Sequence, residues 1–128
     1  MQDSARPEAD YSYDRELDAL RVSVYGPRGY DQARAHFAKV IARMRAEGTQ
    51  RLLLDLTGAS YEFDLEQSIE AFWKIAEASE GNQIALVMDL SRREQGIVLQ
   101  TVGTARWNLI RLFHDRESAE AWLRETAD

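Results

Sequence analysis

Arg51–Thr57 reads RLLLDLT and Ile84–Leu90 reads IALVMDL. Each is a short apolar run with little polar alternation, the pattern of a strand covered on both faces. Such strands belong to parallel sheets, whose crossover connections lay helices on the sheet faces. The residues around the two runs supply those helices. Between Tyr30 and Glu47, Ala33, Phe37, Val40, Ile41 and Met44 recur at spacings of three and four, which predicts a helix with one apolar stripe. Asp31 suits its first turn, Arg43 and Arg45 its last, and Gly48 its C-cap. A second helix is predicted from Asp64, with Asp64 and Gln67 at capping-box spacing and Leu65, Ile69, Phe72, Trp73 and Ala76 inward.

Outward from this centre the pattern continues. Tyr11–Arg15 and Leu20–Tyr25 alternate apolar with polar residues, which predicts a hairpin with one wet face. Gly26-Pro27 is read as the stop of its second strand. Ser91-x-x-Glu94 opens a third helix towards Arg106, weakened by Gly96 and Gly103. Leu109–Phe113 is a last strand, and Asp115 caps a final helix with Ala119, Trp122 and Leu123 inward. The expected order is ββαβαβαβα: one α/β domain, residues 11–128, with a mixed sheet of about five strands and about four helices. Residues 1–10, polar and containing Pro7, are expected to form a flexible tail.

Composition narrows the function classes. The chain has 128 residues, no cysteine, two histidines and a formal net charge of −6. That length buries a core without disulfide or metal. The missing thiols exclude Cys-based catalysis and Cys-zinc sites, and fit a cytoplasmic location. The acidic balance and scattered basic residues argue against nucleic-acid binding. No apolar run reaches the roughly 18 residues of a membrane span. The sequence offers no G-x-S-x-G elbow and no P-loop, and GPRG (Gly26–Gly29) is explained by a strand exit. No catalytic residue, metal ligand or cofactor is therefore assigned, and the chain is not expected to be an enzyme.

Both central runs end alike, in Asp55-Leu56-Thr57 and Asp89-Leu90-Ser91. Asp55 and Asp89 at the carboxyl edge of neighbouring parallel strands lie where open α/β sheets bind ligands. Two carboxylates there can hold a divalent cation or share a proton. The alternative is that each accepts hydrogen bonds from the amides and hydroxyls after its strand.

The last quarter, GIVLQTVGTARWNLIRLFHDRESAEAWLRE, with Phe113, Asp115, Ala119, Trp122 and Leu123, resembles the end of STAS-like domains (sulfate transporter and anti-sigma-factor antagonist). It is similar to a bacterial group of mostly unknown function. LLLDLTGASYEFD resembles the strand and loop that lead, in anti-sigma antagonists, to a regulatory serine. The resemblance covers about residues 11–126 and implies a regulatory binding module. Tyr61–Leu65 offers no hydroxyl at the phosphoacceptor position, so phosphoserine switching is not expected. Asp64 stands there as a fixed charge or as a helix cap.

The binding region is placed on the strand exits, at Thr57, Gly58, Ser60 and Asp64 after one strand and Ser91, Arg92 and Arg93 after the next. The expected partner is a protein or a small apolar or anionic ligand, with homodimerisation open. An alternative is a lipid carrier, with Gly96 and Gly103 opening a space near Trp73 or Trp107. Less favoured is a metal-dependent enzyme using Asp55 and Asp89.

Overall fold

A computed structural model describes residues 9–61, 66, 67, 70, 81–89, 91, 97, 101 and 109–126. Its strands are β1 (Ala9–Asp14), β2 (Ala19–Arg28), β3 (Arg51–Tyr61), β4 (Gln83–Val87) and β5 (Leu109–Phe113). Its full helices are α1 (Tyr30–Glu47) and α2 (Arg116–Glu125). The strands form one sheet in the order β1-β2-β3-β4-β5. The β1/β2 pair is antiparallel and the other three pairs are parallel. This is the expected mixed α/β sheet. Glu66, Gln67, Glu70, Ile97 and Thr101 are helical, and the rest of the second and third expected helices lies outside the described residues.

α1 keeps its expected bounds. The Gly29 N–H donates to Gln32 Oε1 at its start, and Gly48 ends it with φ 73°, a conformation a residue without Cβ adopts without strain. Phe37, Val40, Ile41 and Met44 are buried against Leu20, Val22 and Val24 of β2 and Leu52, Leu54 and Leu56 of β3. α2 begins at Asp115, whose carboxylate accepts the Ser118 N–H at 2.7 Å. It buries Ala119, Trp122 and Leu123 on the opposite sheet face, against Leu53, Ala85 and Val87. Leu17, in the turn between β1 and β2, is 1% exposed and joins this second cluster.

Four strand boundaries differ from expectation, one of them the end of β4, at Val87 rather than Leu90. β1 starts at Ala9, two residues early. Gly26 and Pro27 do not stop β2, and Thr57 does not end β3; Tyr25–Arg28 pairs with Gly58–Tyr61. Pairing with β1 ends at Val24, so the N–H that Pro27 lacks is not needed for that ladder. β3 pairs with β4 only as far as Asp55. Beyond that point β2 and β3 continue as a two-stranded parallel ribbon.

Arg51 closes the amino end of the sheet. Its guanidinium donates to the Leu17, Leu123 and Thr126 carbonyls and to Gln83 Oε1, joining β3 to β4, the hairpin turn and the last carbonyls of α2.

Candidate functional site

The ribbon begins at an irregularity. Ser23 pairs with Asp55 and Tyr25 pairs with Gly58, so Leu56 and Thr57 stand opposite the single residue Val24. This is a β-bulge, a feature that re-aims side chains. Thr57 turns both its N–H and its hydroxyl to Asp55 Oδ1, at 3.0 and 2.7 Å.

Asp55 is 6% exposed within the apolar run LLLDL, so its charge requires partners. The second partner is Arg116, in the first turn of α2. Arg116 Nε lies 2.9 Å and Nη2 2.8 Å from Asp55 Oδ2, and Nη2 donates to Ser23 Oγ at 3.1 Å. Burial pushes the Asp55 carboxyl up, but the bonds from Thr57 and Arg116 outweigh it and hold the carboxyl below its ordinary range. A second ionic group lies beside the first. Arg21 Nε donates to Asp14 Oδ2 at 2.9 Å and Nη1 to Glu120 Oε2 at 2.6 Å, tying the hairpin to α2. Ser23, Arg21, Arg116, Asp14 and Glu120 are absent from the sequence-based assignment. The signal for Arg116 was Asp55 itself, a carboxylate inside LLLDL that folding obliges to find a cation.

The two Asp-containing echoes part company here. Val87, the last residue of β4, is opposite Asp55. Asp89 lies two residues farther on and is exposed. Both Asp55 oxygens accept hydrogen bonds from Thr57 and Arg116. The joint Asp55–Asp89 cation or proton site is not assembled. Among the described residues, no cluster of three His, Cys, Asp or Glu residues is placed to hold a metal.

Thr57, Gly58 and Ser60 are exposed, and they belong to the ribbon rather than to a loop. A Cβ on Gly58 would come within 2.9 Å of Tyr25 Cδ1 and 3.1 Å of the Val24 carbonyl oxygen, so only glycine fits without a shift. Ser91 is exposed in a helical turn, and it bonds to neither Asp55 nor Thr57 among the described residues. Asp64, Arg92 and Arg93 lie outside the described residues, as do Gly96, Gly103, Trp73 and Trp107.

No family model matches the chain, and no curated protein matches it. Among solved structures it is similar to an uncharacterised protein of the DUF3478 family with a SpoIIAA-like fold from Shewanella loihica PV-4. The two are 14% identical with a TM-score of 0.58, over 96% of this chain and 99% of that one. The chain thus has the SpoIIAA-like, or STAS-like, fold. No helix among the described residues is long and apolar enough to cross a membrane.

Proposed function

We propose that the chain is a STAS-like binding module that acts through contacts with a protein partner, and that its recognition surface is the β2/β3 ribbon. The observation that carries this reading is the ribbon itself. It projects past the pairing limits of β1 and β4 and exposes Thr57, Gly58 and Ser60 at the carboxyl end of the sheet. That end is where open α/β sheets recognise ligands. The bulge and the Asp55–Arg116 pair give the ribbon a fixed base, and a rigid base lowers the ordering cost of binding. Asp64, Arg92 and Arg93 extend the proposed surface by their places in sequence. The module binds rather than catalyses, and works in the cytoplasm.

A photo-crosslinking residue at position 60, with the same residue at the exposed Ala38 of α1 as control, tests the surface in extracts of the source cells. A discrete crosslinked species from position 60 and not from position 38 supports it. Identical species from both positions, or none from position 60, would overturn it.

A further inference from the structure

α1 covers β2 and β3 on one side of the sheet, while α2 packs on β3, β4 and β5 on the other. On the α2 side, beyond Ala19, no helix among the described residues covers β1 and β2. Between them and the first turns of α2 lies a cleft of about 230 Å³, walled by Ser12, Arg21, Ser23, Tyr25 and Arg116. Leu53, 1% exposed, contributes to its lining, and Asp10 stands at its edge.

A merely hydrated sheet face needs no order among its cations. Here each guanidinium is held by a carboxylate behind it. Arg21 is fixed by Asp14 and Glu120, and Arg116 by Asp55 and Ser23. Asp55 is buried, and an apolar residue at such a position commonly folds as well or better. What the arrangement secures is pre-organised donors. Arg21 Nη2, Arg116 Nη1 and Ser12 Oγ make no hydrogen bond among the described residues, and they belong to side chains of one cleft. Asp10, which accepts from Tyr25 at 2.9 Å through Oδ2, adds an acceptor.

Charge and size select the occupant. Among the described residues, Asp14, Glu120 and Asp55 already balance the two guanidiniums, Asp10 adds a further negative charge, and the chain carries −6 overall. An anion would enter a field with excess carboxylate, and a cation would face two arginines at the wall. A neutral molecule rich in hydroxyls satisfies both sets, accepting from the guanidinium N–H groups and donating to Asp10 and the serines. The volume is below the roughly 300–1,000 Å³ of sites for drug-sized ligands, which limits the occupant to about one ring. We propose that this cleft is a binding site for a small neutral polyol the size of a single sugar ring. The cleft adjoins the ribbon, sharing Tyr25 and the Arg116 base with it, but the proposal does not depend on the partner surface.

The test is an amide ¹H–¹⁵N titration of the full chain with aldohexoses, aldopentoses and myo-inositol, and in parallel with inorganic phosphate. One or more polyols should shift the amides of Ser12, Arg21, Ser23 and Arg116 along a saturating curve. Arg21→Gln and Ser12→Val should each weaken that polyol at least tenfold, while Lys39→Gln on α1 and Ser60→Arg on the ribbon should not. Ser12 is exposed on an edge strand that accepts a β-branched residue, so this variant keeps the fold if Arg21→Gln loses it. Straight-line shifts with every polyol would overturn the proposal. So would saturation unaffected by Ser12→Val, or tighter saturation of the same amides by phosphate.

Discussion

The two faces of the sheet do different work. On the α1 face, Leu20, Val22, Val24, Leu52, Leu54 and Leu56 meet Phe37, Val40, Ile41 and Met44 in one continuous apolar cluster. On the α2 face, among the described residues, apolar packing is confined to β3, β4, β5 and the buried Leu17 and Ala19, and the rest of the β1–β2 portion is polar or ionic. β2 feeds both, because successive side chains point to opposite faces. Leu20, Val22 and Val24 go one way, and Arg21, Ser23 and Tyr25 the other. The comparison separates what holds the fold from what the fold presents. The α1 face can be explained by burial alone, whereas the other face carries paired charges that burial does not demand.

The sharpest way to break this contrast is to delete volume from the apolar face. Leu52 is fully buried between α1 and the strands. Leu52→Ala should cost about 3 kcal/mol, within the range for buried leucines, through lost transfer energy and the cavity left behind. Ser23→Ala on the other face removes one exposed hydrogen bond to Arg116 and should cost about 0.5 kcal/mol. Urea unfolding of both variants measures the difference. Equal losses would mean that the ionic face contributes to stability as strongly as the core.

Next in size is the Asp55–Arg116 pair. Asp55→Ala strips the buried partner but leaves Arg116, about half exposed, able to reach water. The loss should be about 2 kcal/mol, below the roughly 3–5 kcal/mol for pairs buried on both sides, because Arg116 can rehydrate. A double variant, Asp55→Leu with Arg116→Met, should recover most of it, because well-packed apolar pairs commonly replace ionic ones without penalty. A double variant less stable than Asp55→Ala would show that the pair is needed for folding itself.

The same pair sets an acid limit. The carboxyls of Asp55 and Asp14 both lie below their ordinary value: burial pushes each up, and hydrogen bonds to the charged form outweigh it. The folded state therefore binds protons less readily than the unfolded chain. Their contribution is complete above the unfolded value, about 4, and is lost as pH falls through the folded values. Urea midpoints measured from about pH 7 down to about pH 2 should fall in this acid range, and the fall should be shallower in Asp55→Asn. An unchanged slope in that variant would assign the acid limit to other carboxylates.

How much of this was legible in the sequence follows from the same contrast. α1 kept its predicted bounds because a helical stripe and a terminal glycine are local signals. β3, β4 and β5 were legible as apolar runs, and Ala119, Trp122 and Leu123 as the inward side of the last helix. The ribbon was not, because Gly26 and Pro27 are ordinarily breakers. They are tolerated in β2 because β1 no longer pairs there. The arginines were illegible for a different reason. Arg116 meets Asp55 across 61 residues of chain and Glu120 meets Arg21 across 99, so no local spacing joins them. What the sequence did offer was the anomaly, an aspartate in LLLDL; its partner is decided by topology.

A smaller effect than that of the buried pair belongs to the ribbon. Gly58→Ala places a Cβ against the Tyr25 ring and the Val24 carbonyl, at 2.9 and 3.1 Å. A ring can turn aside, but the carbonyl is part of the β2 ladder. The cost should be about 1–2 kcal/mol, in the range for overpacking. The double variant with Tyr25→Ala then separates the two contacts. It removes the ring and leaves the carbonyl, so Gly58→Ala should still cost part of its original loss when made in the Tyr25→Ala background. No cost in that background would mean that the aromatic ring alone demands glycine at position 58. A residual cost would place the demand on the backbone of the bulge, where β2 and β3 approach closely, and would tie the ribbon's shape to the same irregularity that turns Thr57 towards Asp55.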